Sequence, residues 1–295
     1  PWRGCTKVSP GCANCYAEKL SHRNPAVLGE WGRGKPRVLS KSWGDPIRWD
    51  AEAAKTGARP RVFPSLCDWL DEEVPVPWLA SFLATINLTP NIDWLLLTKR
   101  PQLWRMRVDA AALASTPFHQ KWLVEWLRGN PPHNVWLGVS VEDQTRAEGR
   151  IPLLLGIPAR LRWLSVEPLI GPVDLRPYAF GGFVHSPNCE NEHCALADGP
   201  EDCSGLVIPG VDWVVVGGES GSKARPCNVA WIRDIADQCK PSDVPVFVKQ
   251  LGANPVVTKL SPGQEIPDDF RTFSDPKGGD QSEWPADLRV REFPK

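Results

Sequence analysis

Short runs of Val, Leu, Ile and Trp recur along the chain, each ending in polar residues and most followed by apolar positions at helical spacing. The runs are Arg61–Asp68, Asp93–Arg100, Val135–Val141, Leu161–Glu167, Asp212–Ser220 and Val244–Gln250. They lack the apolar–polar alternation of a strand with one wet face, so each is predicted to be a strand buried on both sides, as in a parallel sheet. Helices are predicted over Cys15–Arg23, Pro77–Leu88, Gln102–Ser115, His119–Arg128, Glu142–Leu155 and Asn228–Gln238. Counting a first strand that runs up to Trp2, the pattern gives an α/β fold: a full or partial (β/α) barrel of about six or seven parallel strands. A doubly wound open sheet is the other arrangement this alternation permits.

Two stretches interrupt the pattern. Gly29–Trp49, rich in Gly, Trp and basic residues, reads as a long loop, and 172–210 reads as a cysteine-containing insertion where a crossover helix is expected. The organisation is therefore a barrel over 1–252 carrying that insertion, followed by an irregular extension over 253–295. A hydrophobic content of 42% with 23% charged residues excludes wholesale disorder. A net charge of −1 removes the broad attraction used by a DNA coat or a membrane-surface protein. No apolar run is long enough for a spanning helix, so no membrane partner is expected. The opening Pro-Trp-Arg-Gly-Cys carries no signal-peptide pattern and cuts into the first strand, so a few preceding residues are expected to be missing. Nine cysteines in two clusters and three singles suit a reducing, cytoplasmic protein with metal sites better than a disulfide scaffold.

Polar residues close every run: Cys67 and Asp68; Thr98, Lys99 and Arg100; Ser140 and Glu142; Ser165 and Glu167; Gly217, Gly218, Glu219 and Ser220; Lys249 and Gln250. Ligands of parallel α/β sheets and barrels bind at the carboxyl ends of the strands, so these residues are predicted to converge on one mouth. Strand ends meet water and are often polar for that reason alone. That plain account does not predict the recurrence of Ser-x-Glu at 140–142 and 165–167, with Glu219-Ser220 after a later strand. Cys5, Cys12 and Cys15 follow the first strand with the spacing C-x6-C-x2-C. Thiolates select soft metals, and a zinc site normally closes with a fourth Cys or His. His22, about two turns along the predicted helix, reaches back poorly. Three local cysteines therefore suit a 4Fe–4S cubane with one iron left open, with zinc and free structural thiols as alternatives.

The motifs around this triplet resemble those of the phage-associated three-Cys-motif proteins within the radical S-adenosylmethionine (SAM) superfamily. They are Gly4-Cys5-Thr6-Lys7-Val8-Ser9-Pro10-Gly11-Cys12-Ala13-Asn14-Cys15-Tyr16-Ala17-Glu18, Leu96-Leu97-Thr98-Lys99-Arg100-Pro101, Gly138-Val139-Ser140-Val141-Glu142, Leu164-Ser165-Val166-Glu167-Pro168-Leu169, Gly217-Gly218-Glu219-Ser220-Gly221 with Ala224-Arg225-Pro226, and Lys249-Gln250. The resemblance spans Trp2 to Gly252. It implies a 4Fe–4S cluster on Cys5, Cys12 and Cys15 whose open iron chelates the amine and carboxylate of SAM, and an electron donor such as flavodoxin or ferredoxin. It also implies hydrogen abstraction from a substrate by the 5′-deoxyadenosyl radical. Phage association implies a nucleic-acid base or modified nucleotide as substrate, in DNA modification or repair, flipped from the stack where it lies in a duplex. A small molecule or peptide is the other substrate class. By position the resemblance assigns Asp68 to the SAM amino group, and Ser140, Glu142, Ser165 and Glu167 to ribose hydroxyls and the methionine carboxylate. Lys99 and Arg100 go to a carboxylate or phosphate, and Gly217 and Gly218 to close backbone approach, with Glu219 and Lys249 in the same mouth or at its rim. Two departures stand out. Six residues, not the superfamily's commoner three, separate the first two cysteines, and the aromatic residue follows the last one as Tyr16.

Cys189, Cys194 and Cys203, with His193 and His185 nearby, sit in a polar insertion that cannot build its own core. Metal often staples such a loop. The candidates are zinc through three Cys and one His, an auxiliary iron–sulfur cluster completed by Cys227, or no metal. Trp31, Trp43 and Trp49, interleaved with Arg33, Arg37, Lys41 and Arg48, make either a stacking and phosphate-binding surface or a loop packed on the barrel. The rival to an enzyme is a non-catalytic, zinc-stabilised nucleic-acid-binding module. It would need a segregated basic face, which a net charge of −1 disfavours.

Overall fold

Val- and Leu-rich segments pair edge to edge because β-branched and aromatic side chains fit a pleated surface covered on both sides. The structure, a computed structural model, describes residues 1–41, 43–185, 205–257 and 273–294, and the backbone alone of 182–185 and 205–208. In chain order its elements are β1 (Trp2–Arg3), α1 (Tyr16–Ser21), α2 (Pro25–Leu28), β2 (Val38–Leu39), α3 (Asp45–Thr56), β3 (Arg61–Val62) and α4 (Val76–Asn87). Then come β4 (Asp93–Thr98), α5 (Trp104–Leu113), α6 (Pro117–Leu127), β5 (Val135–Ser140), α7 (Gln144–Leu155), β6 (Leu161–Val166), β7 (Gly182–His185) and β8 (Gly205–Ile208). The last are β9 (Trp213–Gly217), β10 (Cys227–Asn228), α8 (Val229–Cys239), β11 (Val246–Gln250) and β12 (Pro255–Val256).

Six strands form one parallel sheet in the order β11-β9-β6-β5-β4-β3, curled into a half-barrel. Alternate residues face opposite sides. Leu96, Leu137, Val139, Leu164, Val166, Val214, Val216 and Val248 belong to the main core, together with apolar residues of α4, α5, α7 and α8. Leu95, Trp136, Trp163, Trp213 and Val215 form a second cluster, joined by Leu97, Leu161 and Phe247. Helix starts are chemically marked: the Asp143 side chain accepts from Arg146 N ahead of α7, and that of Asn228 accepts from Ala230 N ahead of α8.

The sequence pattern and the structure differ in places. The first strand, expected in the barrel, pairs instead antiparallel with β2 as a separate ribbon. The run from Arg61 leaves the sheet after Val62, so Cys67 and Asp68 sit in a turn, not at a strand end. Pro64, without an N–H, cannot donate to a ladder there. Within the stretch read as loop, α3 begins at Asp45-Pro46 and stops at Gly57, whose φ of +72° is open to glycine. Arg37 is buried against Asp71, so the basic residues between Trp31 and Trp49 do not all lie on a surface. Backbone strands β7 and β8 pair antiparallel within the insertion, while Cys189, His193, Cys194 and Cys203 lie outside the described residues. The C-terminal segment crosses the free edge of β11 through an antiparallel bridge between Phe247 and Arg291. It brings Phe293 beside Trp213 and under the Arg61 guanidinium, which lies 4.2 Å above the ring. Among the described residues, no helix is long and apolar enough to cross a membrane.

Gly138 is a tight point of the inner face. A Cβ there would lie 2.4 Å from Cε2 of Trp163, whose indole rests flat against the strand. Gly138→Ala is therefore expected to destabilise the fold by roughly 1–3 kcal/mol, the usual range for overpacking. Gly149→Ala, in α7 with open space around it, is expected to stabilise by roughly 0.5–1 kcal/mol. Thermal unfolding of the two variants checks this, and equal shifts would contradict the packing of Trp163 on the sheet.

Candidate functional site

The inner face presents its side chains in rows fixed by strand register. Leu97, Gly138, Trp163 and Trp213 are successive partners across β4, β5, β6 and β9. One step nearer the carboxyl ends, Ser140, Ser165, Val215 and Phe247 form the next row. The period of two thus sets two serines, on β5 and β6, one step above an apolar row, while β9 and β11 stay apolar at that level. A cavity of about 740 Å³ occupies the half-barrel, with a size typical of small-molecule sites. Cys5, Cys12 and Cys15 are among its lining residues, and Leu97, Trp163, Trp213, Phe247, Phe63 and Phe293 give it apolar walls.

Three buried acidic clusters fasten the cysteine loop to the sheet. Asp68 accepts from Thr98 Oγ1 (2.7 Å), the Lys99 amide (3.0 Å) and Arg100 Nη1 (2.8 Å), while Arg100 Nη2 donates to the Thr6 carbonyl at 2.7 Å. Beside it, Arg37 joins Asp71 (2.8 Å) to Thr6 Oγ1 (2.7 Å). Glu142, fully buried, accepts from Ser9 Oγ and from Arg150 Nη1 at 2.7 Å, with Lys99 Nζ at 3.6 Å. Gly11 must be glycine for this contact, because a Cβ would stand 2.8 Å from Glu142 Oε1. Glu219 takes Asn14 Nδ2 (2.9 Å) and both Nε (3.0 Å) and Nη2 (2.7 Å) of Arg225, which also reaches the Pro10 carbonyl.

The predicted site residues therefore fall into two groups. Asp68, Lys99, Ser140, Ser165, Glu167, Gly218, Glu219 and Lys249 line the cavity with the three cysteines, whereas Glu142 and Gly217 are not among its lining residues. The carboxylates of Asp68, Glu142 and Glu219 are occupied by protein partners. In contrast, the hydroxyls of Ser140 and Ser165, 2% and 5% exposed, have no hydrogen-bond partner among the described residues. Glu167 and Lys249 pair at 2.9 Å, with the lysine half-exposed.

Cys5, Cys12 and Cys15 are free thiols. Burial, with the charge of Asp68 added and Arg100 pulling the other way, pushes Cys5 up to about 12; burial also raises Cys15. Both are neutral near pH 7, and a metal would have to displace their protons. Arg100 Nη1, 3.6 Å from Cys5 Sγ, supplies a compensating charge. Among the described residues no three His, Cys, Asp or Glu side chains converge tightly enough to hold a single ion. A cubane instead places each thiolate on a different iron, so three thiols on one cavity, with no fourth protein ligand among the described residues, are a donor set that fits it.

The aromatic walls and the cations Arg150 and Arg225 are absent from the sequence-based role assignments. Trp163 and Phe247 stand two residues before Ser165 and Lys249, so counting back by two from each polar strand end locates them. Arg225 stands in the motif Ala224-Arg225-Pro226 without an assigned role, and Arg150 carries no such signal.

Burial raises the Glu142 carboxyl, but Lys99, Arg150 and Ser9 outweigh it and hold it below its ordinary value of 4.5. Glu219 is likewise held down by Arg225 and Asn14 against burial. A carboxyl depressed in the folded state adds stability that is complete above its unfolded value and lost as pH falls through its folded one. The melting temperature is therefore expected to fall below about pH 4.5. Glu142→Gln should melt lower than the wild type at neutral pH and converge on it in acid. Parallel curves at all pH values would contradict the clamp.

Comparison with curated proteins and with solved structures finds no match to this chain. A family model does match it over residues 1–270, nearly its whole length, and the chain belongs to that family, DUF5131, described as proteins of unknown function.

Proposed function

We propose that this protein is a radical SAM enzyme, with Cys5, Cys12 and Cys15 holding a 4Fe–4S cluster at the mouth of the half-barrel. The observation that carries the reading is the convergence of three free thiols and the unpartnered hydroxyls of strand-end serines on one cavity. When bound, the cluster would supply the electron, received from a donor such as flavodoxin or ferredoxin, that cleaves SAM to methionine and the 5′-deoxyadenosyl radical abstracting hydrogen from the substrate.

The protein's own residues bind, orient and shield. Ser140 can donate to or accept from a ribose hydroxyl, and Lys99 and Lys249 offer ammonium groups to the methionine carboxylate. Gly218, where any side chain would meet the backbone of Leu251, lets a ligand approach the main chain. Asp68, Glu142 and Glu219 act indirectly, by holding the loop that carries the thiols. The aromatic walls keep water from the reacting carbon. The substrate is a nucleic-acid base or modified nucleotide. A zinc ion or auxiliary cluster on Cys189, Cys194, Cys203 and His193 is a separate proposal.

Anaerobically reconstituted protein should contain about four irons per chain in the barrel site. With SAM and a reductant it should release 5′-deoxyadenosine. Alanine at Cys5, Cys12 or Cys15 should abolish that release and lower iron content, leaving the melting curve within a few degrees of wild type. Full activity in any of the three variants would overturn the assignment. About one zinc per chain, or a second complement of iron, would report on the other cysteine cluster.

A further inference from the structure

The half-barrel lumen has a second chemistry below its polar mouth. The rings of Trp163, Trp213, Phe247, Phe63 and Phe293 form a contiguous wall, with neighbouring centroids 5.3–6.2 Å apart. The two indole N–H groups are already engaged: Trp163 Nε1 donates to the Trp136 carbonyl at 3.2 Å and Trp213 Nε1 to the Glu292 carbonyl at 2.9 Å. These rings therefore offer a ligand π-surface and no donor. One polar atom stands at their edge, the Ser165 hydroxyl, two residues along β6 from Trp163, buried, lining the cavity and unpartnered among the described residues. The hydroxyl opens on the cavity with no protein partner among the described residues, so it is free to pair with a ligand atom there.

From this pairing we infer that the lumen binds one flat, uncharged heterocycle, a single nucleobase, with a face on the aromatic wall and an edge nitrogen or oxygen on Ser165. A hydrocarbon ring would leave the serine unpaired, and a charged or non-planar group would be desolvated against the indoles without compensation. The inference deepens the reading above and rests on it for placing SAM at the cysteine end. Size adds a constraint: about 740 Å³ accommodates a cofactor and one base, but no part of a double helix, so a base from a duplex must enter extruded. Lys277 at the lining offers a cation to phosphate outside the base.

The test is calorimetric titration of the full-length, iron-reconstituted chain, with SAM saturating and no reductant so that nothing turns over. The probes are the four deoxynucleoside monophosphates, deoxyribose 5-phosphate and a short single-stranded oligonucleotide. At least one mononucleotide should bind ten or more times tighter than deoxyribose 5-phosphate. Ser165→Ala and Phe63→Ala should each weaken that nucleotide about tenfold, and Phe63→Ala should leave SAM affinity unchanged. Tighter, salt-dependent binding of the oligonucleotide would identify a polymer as the source of the base, and equal binding a free nucleotide. No preference for the base-bearing probe would overturn the inference, and so would an equal loss of SAM binding in Phe63→Ala, because the wall would then belong to the cofactor's adenine. Protein that holds no iron yet shows this nucleotide pattern sustains the inference and removes the radical reading. Protein that cleaves SAM but shows no ring preference does the reverse.

Discussion

Glu142, with no solvent exposure, accepts from Ser9 on one side and Arg150 on the other, and everything at the mouth of the half-barrel depends on that junction and its two counterparts. The cysteine loop has little regular structure: a single 3-10 turn over Pro10–Cys12 and no strand of the main sheet. Its position is set by buried acids. Asp68 and Asp71 hold Thr6 through Arg100 and Arg37, Glu142 holds Ser9, and Glu219 with Arg225 holds Pro10 and Asn14. Breaking such a buried pair from one side strands a charge and is worth roughly 3–5 kcal/mol. The clamps grip the loop near each thiol, so the fold spends its most expensive interactions on placing three sulfur atoms.

The same economy explains which strand-end groups remain open. A carboxylate surrounded by guanidinium and amide donors has no lone pair left for a ligand, whereas Ser140 and Ser165 remain unpartnered inside the cavity. Polar mouth and aromatic floor then follow from register alone. Successive inward positions of β6 are Trp163 and Ser165, and those of β11 are Phe247 and Lys249, so these two strands each place an aromatic residue before a polar one. The C-terminal segment completes the floor, with Phe293 packed on Trp213 and Phe247 and capped by Arg61 from the opposite edge strand.

Much of this was legible in the sequence. The six parallel runs, their order of helices and the gathering of their polar ends at one cavity follow from periodicity and the carboxyl-end rule. What periodicity could not separate was the role of each acid. Asp68, Glu142 and Glu219 look as available as Glu167, and only the pairing with Arg100, distant in the chain, and with Arg150 and Arg225, 8 and 6 residues beyond their acids, distinguishes them. The first strand was misplaced for a related reason. Trp2 and Arg3 carry ordinary strand character, but their partner, Val38–Leu39, lies in a stretch whose Gly and basic content reads as loop. Composition says nothing about a pairing made across the intervening cysteine loop.

The central claim is that the three clamped thiols hold a cluster with one iron open to SAM. Electron paramagnetic resonance of the anaerobically reconstituted, dithionite-reduced protein, recorded with and without SAM, tests it most directly. A reduced 4Fe–4S signal whose shape changes when SAM is added, and which is lost when Cys5, Cys12 and Cys15 are replaced together, is the predicted result. A protein with no iron signal, or a signal indifferent to SAM, would contradict it.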